Sequence, residues 1–90
     1  MRNDETEKSN VLLRAKDVAA AFGVCKATIY NWVNKGLLPP QVKISENVSA
    51  WPKNEIDTII AARLAGHDDD LIRALVERFI IDRKTAILEV

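Results

Sequence analysis

Residues 16–36 read KDVAAAFGVCKATIYNWVNKG, two helix-forming segments separated by a glycine. The first segment, 16–22, is rich in residues that favour a helix, and Gly23 is suited to end it. No capping residue precedes this segment, so Asp17 is expected to support only the helix dipole. The second predicted helix covers about 25–35 and has apolar side chains at the spacing of one helix face. Two helices joined by a short turn predict a helix-turn-helix motif.

The flanking residues predict extended structure on both sides of this motif. Before it, residues 11–13 are apolar and predict a short extended segment. After it, Pro39 and Pro40 exclude a helix, and residues 42–44 and 48–51 alternate in polarity like two short strands. The sequence therefore predicts a small β-hairpin after the second helix.

Two further helices are predicted in the second half of the chain. Pro52 suits the first position of a third helix, whose apolar residues recur at helical spacing until Gly66. The acidic run Asp68–Asp70 suits a helix cap and predicts a fourth helix that extends to about Lys84. The order helix, turn, helix, hairpin, helix is that of a winged helix-turn-helix. We therefore expect a mainly α fold with a small β-hairpin, a winged helix-turn-helix plus a C-terminal helix.

Length and composition predict one small folded unit. The 90 residues suffice for a single core, and 48% hydrophobic with 29% charged residues is the balance of a globular protein. One cysteine and one histidine argue against an internal disulfide and a structural zinc site. The longest uncharged runs, 18–25 and 27–34, have eight residues each, against the roughly 20 that span a bilayer. We therefore expect no membrane segment, no signal peptide, no cofactor and a cytoplasmic setting.

Charge is distributed unevenly along the chain. Thirteen basic and thirteen acidic residues give no net charge, which by itself argues against a nucleic-acid partner. Residues 1–10 carry a net charge of −1, however, while residues 11–55 carry +3 and residues 56–90 carry −2. The basic excess therefore coincides with the predicted helix-turn-helix and hairpin.

The residues of the motif and the hairpin resemble a known family. The segments LLRAKDV, GVCKATIYNW, KGLLP, VSAW and EID stand at 12–18, 23–32, 35–39, 48–51 and 55–57. In this order they resemble the AlpA family of phage-type regulators and excisionases, whose relatives include the MerR-like winged-helix DNA-binding domains. The resemblance covers about residues 11–66, and the fourth helix lies outside it.

This resemblance implies a cytoplasmic protein that binds double-stranded DNA. Its function would be to activate or repress transcription, or to bend DNA during excision of a prophage or other mobile element. Such roles imply an integrase or RNA polymerase as a protein partner. The chain then divides into a disordered tail at 1–10, a winged helix-turn-helix DNA-binding domain at 11–66, and a C-terminal helix at 67–90 for packing or dimerisation.

The second helix has a polar face that fits DNA. If its apolar residues point inward, the residues left outward are Lys26, Ala27, Thr28, Tyr30, Asn31 and Lys35. Lys26, Thr28 and Asn31 lie where side chains reach base edges, and asparagine pairs with adenine while lysine favours guanine. Tyr30 and Lys35 are better placed for phosphates. The alternative interpretation is an ordinary solvated helix face.

The hairpin contributes fewer candidate contacts. Wings of the AlpA family commonly carry an arginine near the tip, whereas residues 45–49 here include Glu46 and no base. Glu46 would repel phosphate, and the bases that flank the hairpin are Lys43 and Lys53. We therefore expect the wing to contact DNA weakly, through Asn47 or Ser49 beside Lys43, or not at all.

Two other classes of function are alternatives to DNA binding: an enzyme and a protein-interaction adaptor. An enzyme is not expected, because the sequence has no paired carboxylates and no nucleophile with a base, and His67 lies beside a predicted cap. The alternative is a protein-interaction adaptor with a helix-turn-helix core that binds DNA weakly or not at all, which the zero net charge favours. Trp32 and Trp51 occupy apolar positions and are expected as core anchors rather than as groups that stack on bases.

The fourth helix carries an apolar stripe wider than a three-helix core obviously needs. Its residues are Leu71, Ile72, Leu75, Val76, Phe79 and Ile80. The pairs Arg73–Glu77 and Arg78–Asp82, at a spacing of four, are expected to keep the opposite face solvated. The stripe fits self-association into a homodimer, and it fits equally a helix that folds back onto the core of its own chain.

Overall fold

The protein has four helices and a small antiparallel sheet, as the sequence predicts. The structure, a computed structural model, describes residues 12–89, with side chains through residue 85. The predicted disordered tail, residues 1–10, lies outside the described residues. The elements in chain order are β1 (Leu12–Leu13), α1 (Ala15–Phe22), α2 (Lys26–Asn34), β2 (Val42–Ser45), β3 (Val48–Pro52), α3 (Lys53–Leu64) and α4 (Asp69–Glu89). The expected winged helix-turn-helix with a C-terminal helix is confirmed.

Helix α1 begins one residue earlier than predicted because Asp17 does more than support the helix dipole. Its carboxylate accepts a hydrogen bond of 3.1 Å from the backbone N–H of Arg14, the residue that precedes the helix. This contact satisfies one of the backbone donors that a helix start leaves without a partner. At the other end, Gly23 adopts the left-handed conformation, with φ +75°, and ends the helix as expected.

Helix α2 follows after a short turn, and its predicted bounds hold to within one residue. Cys25 precedes its first residue and Lys35 follows its last. Ile29 is fully buried, and Trp32 and Val33 are half-buried on the same inward side. The three apolar residues therefore set the rotation of α2 about its axis and leave the polar residues outward.

The predicted hairpin is confirmed and belongs to a three-stranded sheet in the order β1-β3-β2. Between β2 and β3 the register pairs Val42 with Ala50, and a bulge lies between Lys43 and Ser45. Residues 12–13, expected only to be extended, pair antiparallel with Trp51 and Pro52. Pro52 thus ends β3 and precedes α3, so its predicted place inside the helix is wrong by one position.

The core is centred on Trp51, which confirms its expected role as an anchor. Its side chain is buried, and the indole Nε1–H donates a 2.8 Å hydrogen bond to the carbonyl of Pro39. This bond satisfies the one polar atom of the buried ring. Trp32 lies at the margin of the core, half-buried and edge-to-face with Phe22 at a centroid distance of 5.4 Å.

Helix α4 folds back onto the core of its own chain. Asp68 caps it, since its carboxylate accepts a 3.0 Å hydrogen bond from the N–H of Leu71. Ile72 and Val76 are buried in the same core as Trp51. Leu71, a residue of the predicted stripe, remains 51% exposed, so only part of the stripe packs inward, and Ile81 beside the stripe is 59% exposed. The predicted fold-back is therefore present within one chain.

The ion pairs of α4 agree only in part with expectation. The Arg78–Asp82 pair forms at 3.4 Å, as the spacing predicts. Arg73 does not pair with Glu77, because its side chain reaches Asp70 and the end of α2 instead. The sequence also did not predict that Arg83 makes two hydrogen bonds, of 2.6 and 3.1 Å, to the buried carboxylate of Glu55 in the first turn of α3.

We predict that Glu55→Gln lowers the free energy of unfolding by about 2 kcal/mol, because it leaves the half-buried Arg83 guanidinium without its counter-charge. The matched control is Asp82→Asn, which breaks the exposed Arg78–Asp82 pair and should cost less than about 0.5 kcal/mol. Urea unfolding of the two variants measures both values. Equal losses would contradict the role assigned to the Glu55–Arg83 pair.

Candidate nucleic-acid interface

The outward face of α2 contains side chains that the sequence predicts as DNA contacts. Lys26, Ala27, Asn31 and Lys35 are exposed. Thr28 is half-buried, because it lies beside Ile29 at the start of the inward face. The helix therefore offers charged and amide groups to solvent along its whole length.

Tyr30 joins this face to the core. Its ring packs against that of Trp51, with centroids 6.0 Å apart and the planes tilted by 53°. The tyrosine remains 43% exposed. One side of its ring is thus held by the core while the rest of the residue faces outward, which limits the rotamers that it can adopt.

A concavity of about 440 Å³ lies where α1, α2 and the hairpin meet. Its lining residues come from three separate parts of the chain: Arg14, Ala15 and Lys16 from the start of α1, Lys26 and Tyr30 from α2, and Asn47 and Ser49 from the hairpin. Three of the seven are cationic and none is acidic. The surface is therefore positive although the whole chain has no net charge.

The backbone adds to this positive potential. Arg14 and Lys16 stand at the first turn of α1, and Lys26 is the first residue of α2. Helix starts carry the positive end of the helix dipole and N–H groups without helical partners. At the start of α2, whose first turn contains no acid, the Lys26 side chain and the helix end act with the same sign, which attracts phosphate, whereas Asp17 offsets part of the positive charge at the start of α1.

Arg14 and Lys16 were missed at the sequence level. Both lie in the segment LLRAKDV, which predicts an extended segment and a helix start and carries part of the family resemblance, but from which no DNA contact is expected. The sequence signal for a basic surface here is the presence of two basic residues, at positions i and i+2, at the beginning of a helix. Their proximity to Lys26 and Asn47 depends on how α1 packs against α2 and β3, which no local pattern encodes.

The other residues that the sequence predicts as DNA contacts lie outside the concavity. Ala27 and Asn31 are exposed on α2 but do not line it. Lys35 lies at the far end of α2, and Lys43 is exposed on β2, opposite Ser49 in the hairpin register. The structure thus gathers Lys26, Tyr30 and Asn47 of the nominated set at one site and distributes the others around it.

The acidic residue of the wing is displaced from this site. Glu46 is exposed in the turn between β2 and β3 and does not line the concavity, whereas the next residue, Asn47, does. The hairpin therefore turns an amide toward the basic surface while its carboxylate lies outside it.

The start of α2 also carries the one cysteine of the chain. The hydroxyl of Thr28 lies 3.4 Å from Sγ of Cys25, and by donating a hydrogen bond to the thiolate it lowers the pKa of this exposed thiol. Thr28 is thereby engaged with its own helix start. A contact from Thr28 to a base edge would compete with this hydrogen bond.

A metal site would need several ligating side chains close together in the part of the chain that the structure describes. No group of three or more histidine, cysteine, aspartate or glutamate side chains is placed there to hold a metal ion. Within the same residues, every helix is too short or too polar to cross a bilayer.

Comparisons with known proteins agree with this architecture. Residues 12–64, more than half of the chain, match the model of a family described as helix-turn-helix domain. The uncharacterized protein ORF88 of Enterobacteria phage P4 is 37% identical over 54 residues, which make up 60% of this chain. The chain spans 61% of the length of that phage protein. No solved structure matches the chain.

Proposed function

Because the chain belongs to the family of helix-turn-helix domains, we propose that it binds double-stranded DNA in a sequence-specific manner and regulates a prophage or other mobile element. The observation that carries this proposal is the basic concavity formed by Arg14, Lys16 and Lys26 beside the outward face of α2. A DNA-binding role also places the protein in the cytoplasm.

In this proposal α2 enters the major groove. Lys26 and Asn31 reach base edges, where asparagine pairs with adenine and lysine with guanine. Arg14 and Lys16 contact the phosphates beside the groove and fix the orientation of α2. Asn47 and Ser49 of the hairpin supply weaker neutral contacts from the other side of the concavity.

The finer assignment rests on resemblance. We propose an AlpA-type regulator or excisionase, related to the MerR-like winged helices, with an integrase or RNA polymerase as protein partner. The similarity to a phage protein supports a mobile element as the source of the DNA site.

The first experiment measures binding to a random DNA duplex across a salt series. Phosphate contacts release counterions, so the association constant should fall steeply as salt rises. Lys16→Ala should reduce the log-log slope by about one unit. Lys84→Ala removes the same exposed residue type from α4 and should leave the slope unchanged.

Absence of any salt-dependent binding would contradict DNA binding and favour the adaptor alternative. In that case the helix-turn-helix core would serve a protein partner, and the zero net charge would reflect the lack of a nucleic-acid ligand.

Base recognition is tested with two asparagines on the same helix. Asn31→Ala should cost about 1–3 kcal/mol at the preferred site and relax the base preference at one or two positions. Asn34→Ala alters the exposed last residue of α2 and should keep the preference intact. Selection of binding sites from a randomised duplex pool compares the two. Identical preferences in the parent and both variants would exclude Asn31 as a base reader.

Self-association through α4 also remains a prediction. Since Ile72 and Val76 belong to the core of the chain, the surface available to a second copy is Leu71 of the stripe together with the exposed Ile81 beside it. A dimer would read two half-sites roughly 34 Å apart. We expect a dimeric mass for the parent by sedimentation, a monomeric mass for Ile81→Glu, and no change for Ile44→Glu, which alters another exposed isoleucine, on the wing. A monomeric parent at micromolar concentrations would refute the dimer.

A further inference from the structure

Arg73 connects α4 to the end of α2. Its Nε–H donates a 3.0 Å hydrogen bond to the backbone carbonyl of Lys35, the residue that follows the last turn of α2. The guanidinium also lies 3.5 Å from the carboxylate of Asp70. Lys35 and Arg73 are separated by 38 residues in the chain, so this is a tertiary contact.

The end of α2 has an electrostatic requirement that its own turn does not meet. A helix end leaves carbonyls without helical partners and carries the negative end of the dipole, which basic residues of the last turn usually compensate. The last turn of α2 contains no basic residue, and Lys35, which follows it, has an exposed side chain. The guanidinium of Arg73 adds, from another helix, a cation and a donor that bonds directly to the Lys35 carbonyl.

Packing holds Arg73 in this position. Ile72, its neighbour in α4, is fully buried in the core. The stem of Arg73 crosses Gly36, where an added Cβ would come within 3.6 Å of Arg73 Cγ. Farther along α4, the Arg83–Glu55 pair attaches the same helix to α3. Polar contacts thus attach α4 to the end of α2 and to the start of α3, and the 2.9 Å Arg63–Asp69 ion pair attaches its first turn to the end of α3.

We infer that Arg73 is a positioning residue for DNA recognition: it holds the end of α2, and with it Lys35, in the orientation that fits the major groove. This inference rests on the proposed function, because it gives α2 the role of reading DNA. It extends that function to α4, which lies outside the residues that match the family. Arg73 acts through α2 rather than by touching DNA.

The test compares substitutions of two arginines on α4. Arg73→Met keeps an aliphatic stem over Gly36 and removes every donor, whereas Arg73→Lys keeps a charge and a donor. Arg78→Met is the matched control, because Arg78 is exposed and pairs only within its own helix, with Asp82. Each variant is measured for affinity to the preferred duplex, for salt slope, and for amide exchange in the free protein.

Amide exchange reports on the end of α2 directly. The N–H groups of Gly36 and Leu37 bond to the carbonyls of Val33 and Trp32, at 3.1 and 2.8 Å. In Arg73→Met their exchange should accelerate roughly tenfold relative to the amide of Ile59 in α3, the size expected for loss of one charge-assisted hydrogen bond. The comparison with Ile59 separates a local effect from a general loss of stability.

In DNA binding, Arg73→Met should have roughly tenfold lower affinity than the parent with an unchanged salt slope. Arg73→Lys should recover most of this affinity, and Arg78→Met should bind like the parent.

A slope reduced by about one unit in Arg73→Met, with normal amide exchange, would overturn the inference in favour of a direct phosphate contact. Affinity and exchange both equal to those of Arg78→Met would also overturn it. If Arg73→Met fails to fold, Arg73→Gln, which keeps one donor without the charge, takes its place.

Failure of the proposed function is distinguishable from failure of this inference. A parent that binds no duplex at low salt contradicts DNA binding, while the exchange of Gly36 and Leu37 still decides whether Arg73 holds the end of α2. A parent that binds DNA, with Arg73 variants that are silent in both measurements, refutes the positioning role alone.

Discussion

The arrangement of this small protein depends on the contacts of the buried residue Trp51. Its backbone pairs with Leu13 of β1. Its indole donates a hydrogen bond to the carbonyl of Pro39 after α2 and packs against the ring of Tyr30 on the outward face. Trp51 thus relates the sheet, the segment that leaves α2, and the outward face of α2. Because interiors are close-packed, a shift of this ring would change all three together.

The positive surface is a product of folding rather than of composition. Acidic and basic residues are equal in number, yet the concavity collects three bases and no acid from segments that are distant in the chain. Asp17 is bonded to the backbone of the lining residue Arg14, and Glu55 is buried with Arg83. Because neither carboxylate lines the concavity, the net charge of the chain is a poor guide to the charge of this surface.

Local sequence patterns were sufficient to predict the helices and strands, but not the contacts between them. Glycine positions and apolar spacing located the helices to within a residue or two at most ends, since these signals act over one or two turns. The pairing of β1 with β3, the Glu55–Arg83 ion pair and the approach of Arg14 to Asn47 all join residues far apart in the chain. The outward residues of α2 were predictable from periodicity, whereas the rest of the concavity required the packing of three elements.

Helix α4 lies outside the residues that match the family, yet its side chains support the position of α2. The residues that match the family end at 64, but Ile72 and Val76 complete the core beneath α3, and Arg73 reaches the end of α2. A chain of this size has little core to spare, so removal of two buried aliphatic side chains would expose the apolar faces that orient α2. The geometry of the outward face of α2 therefore depends on residues outside the shared domain.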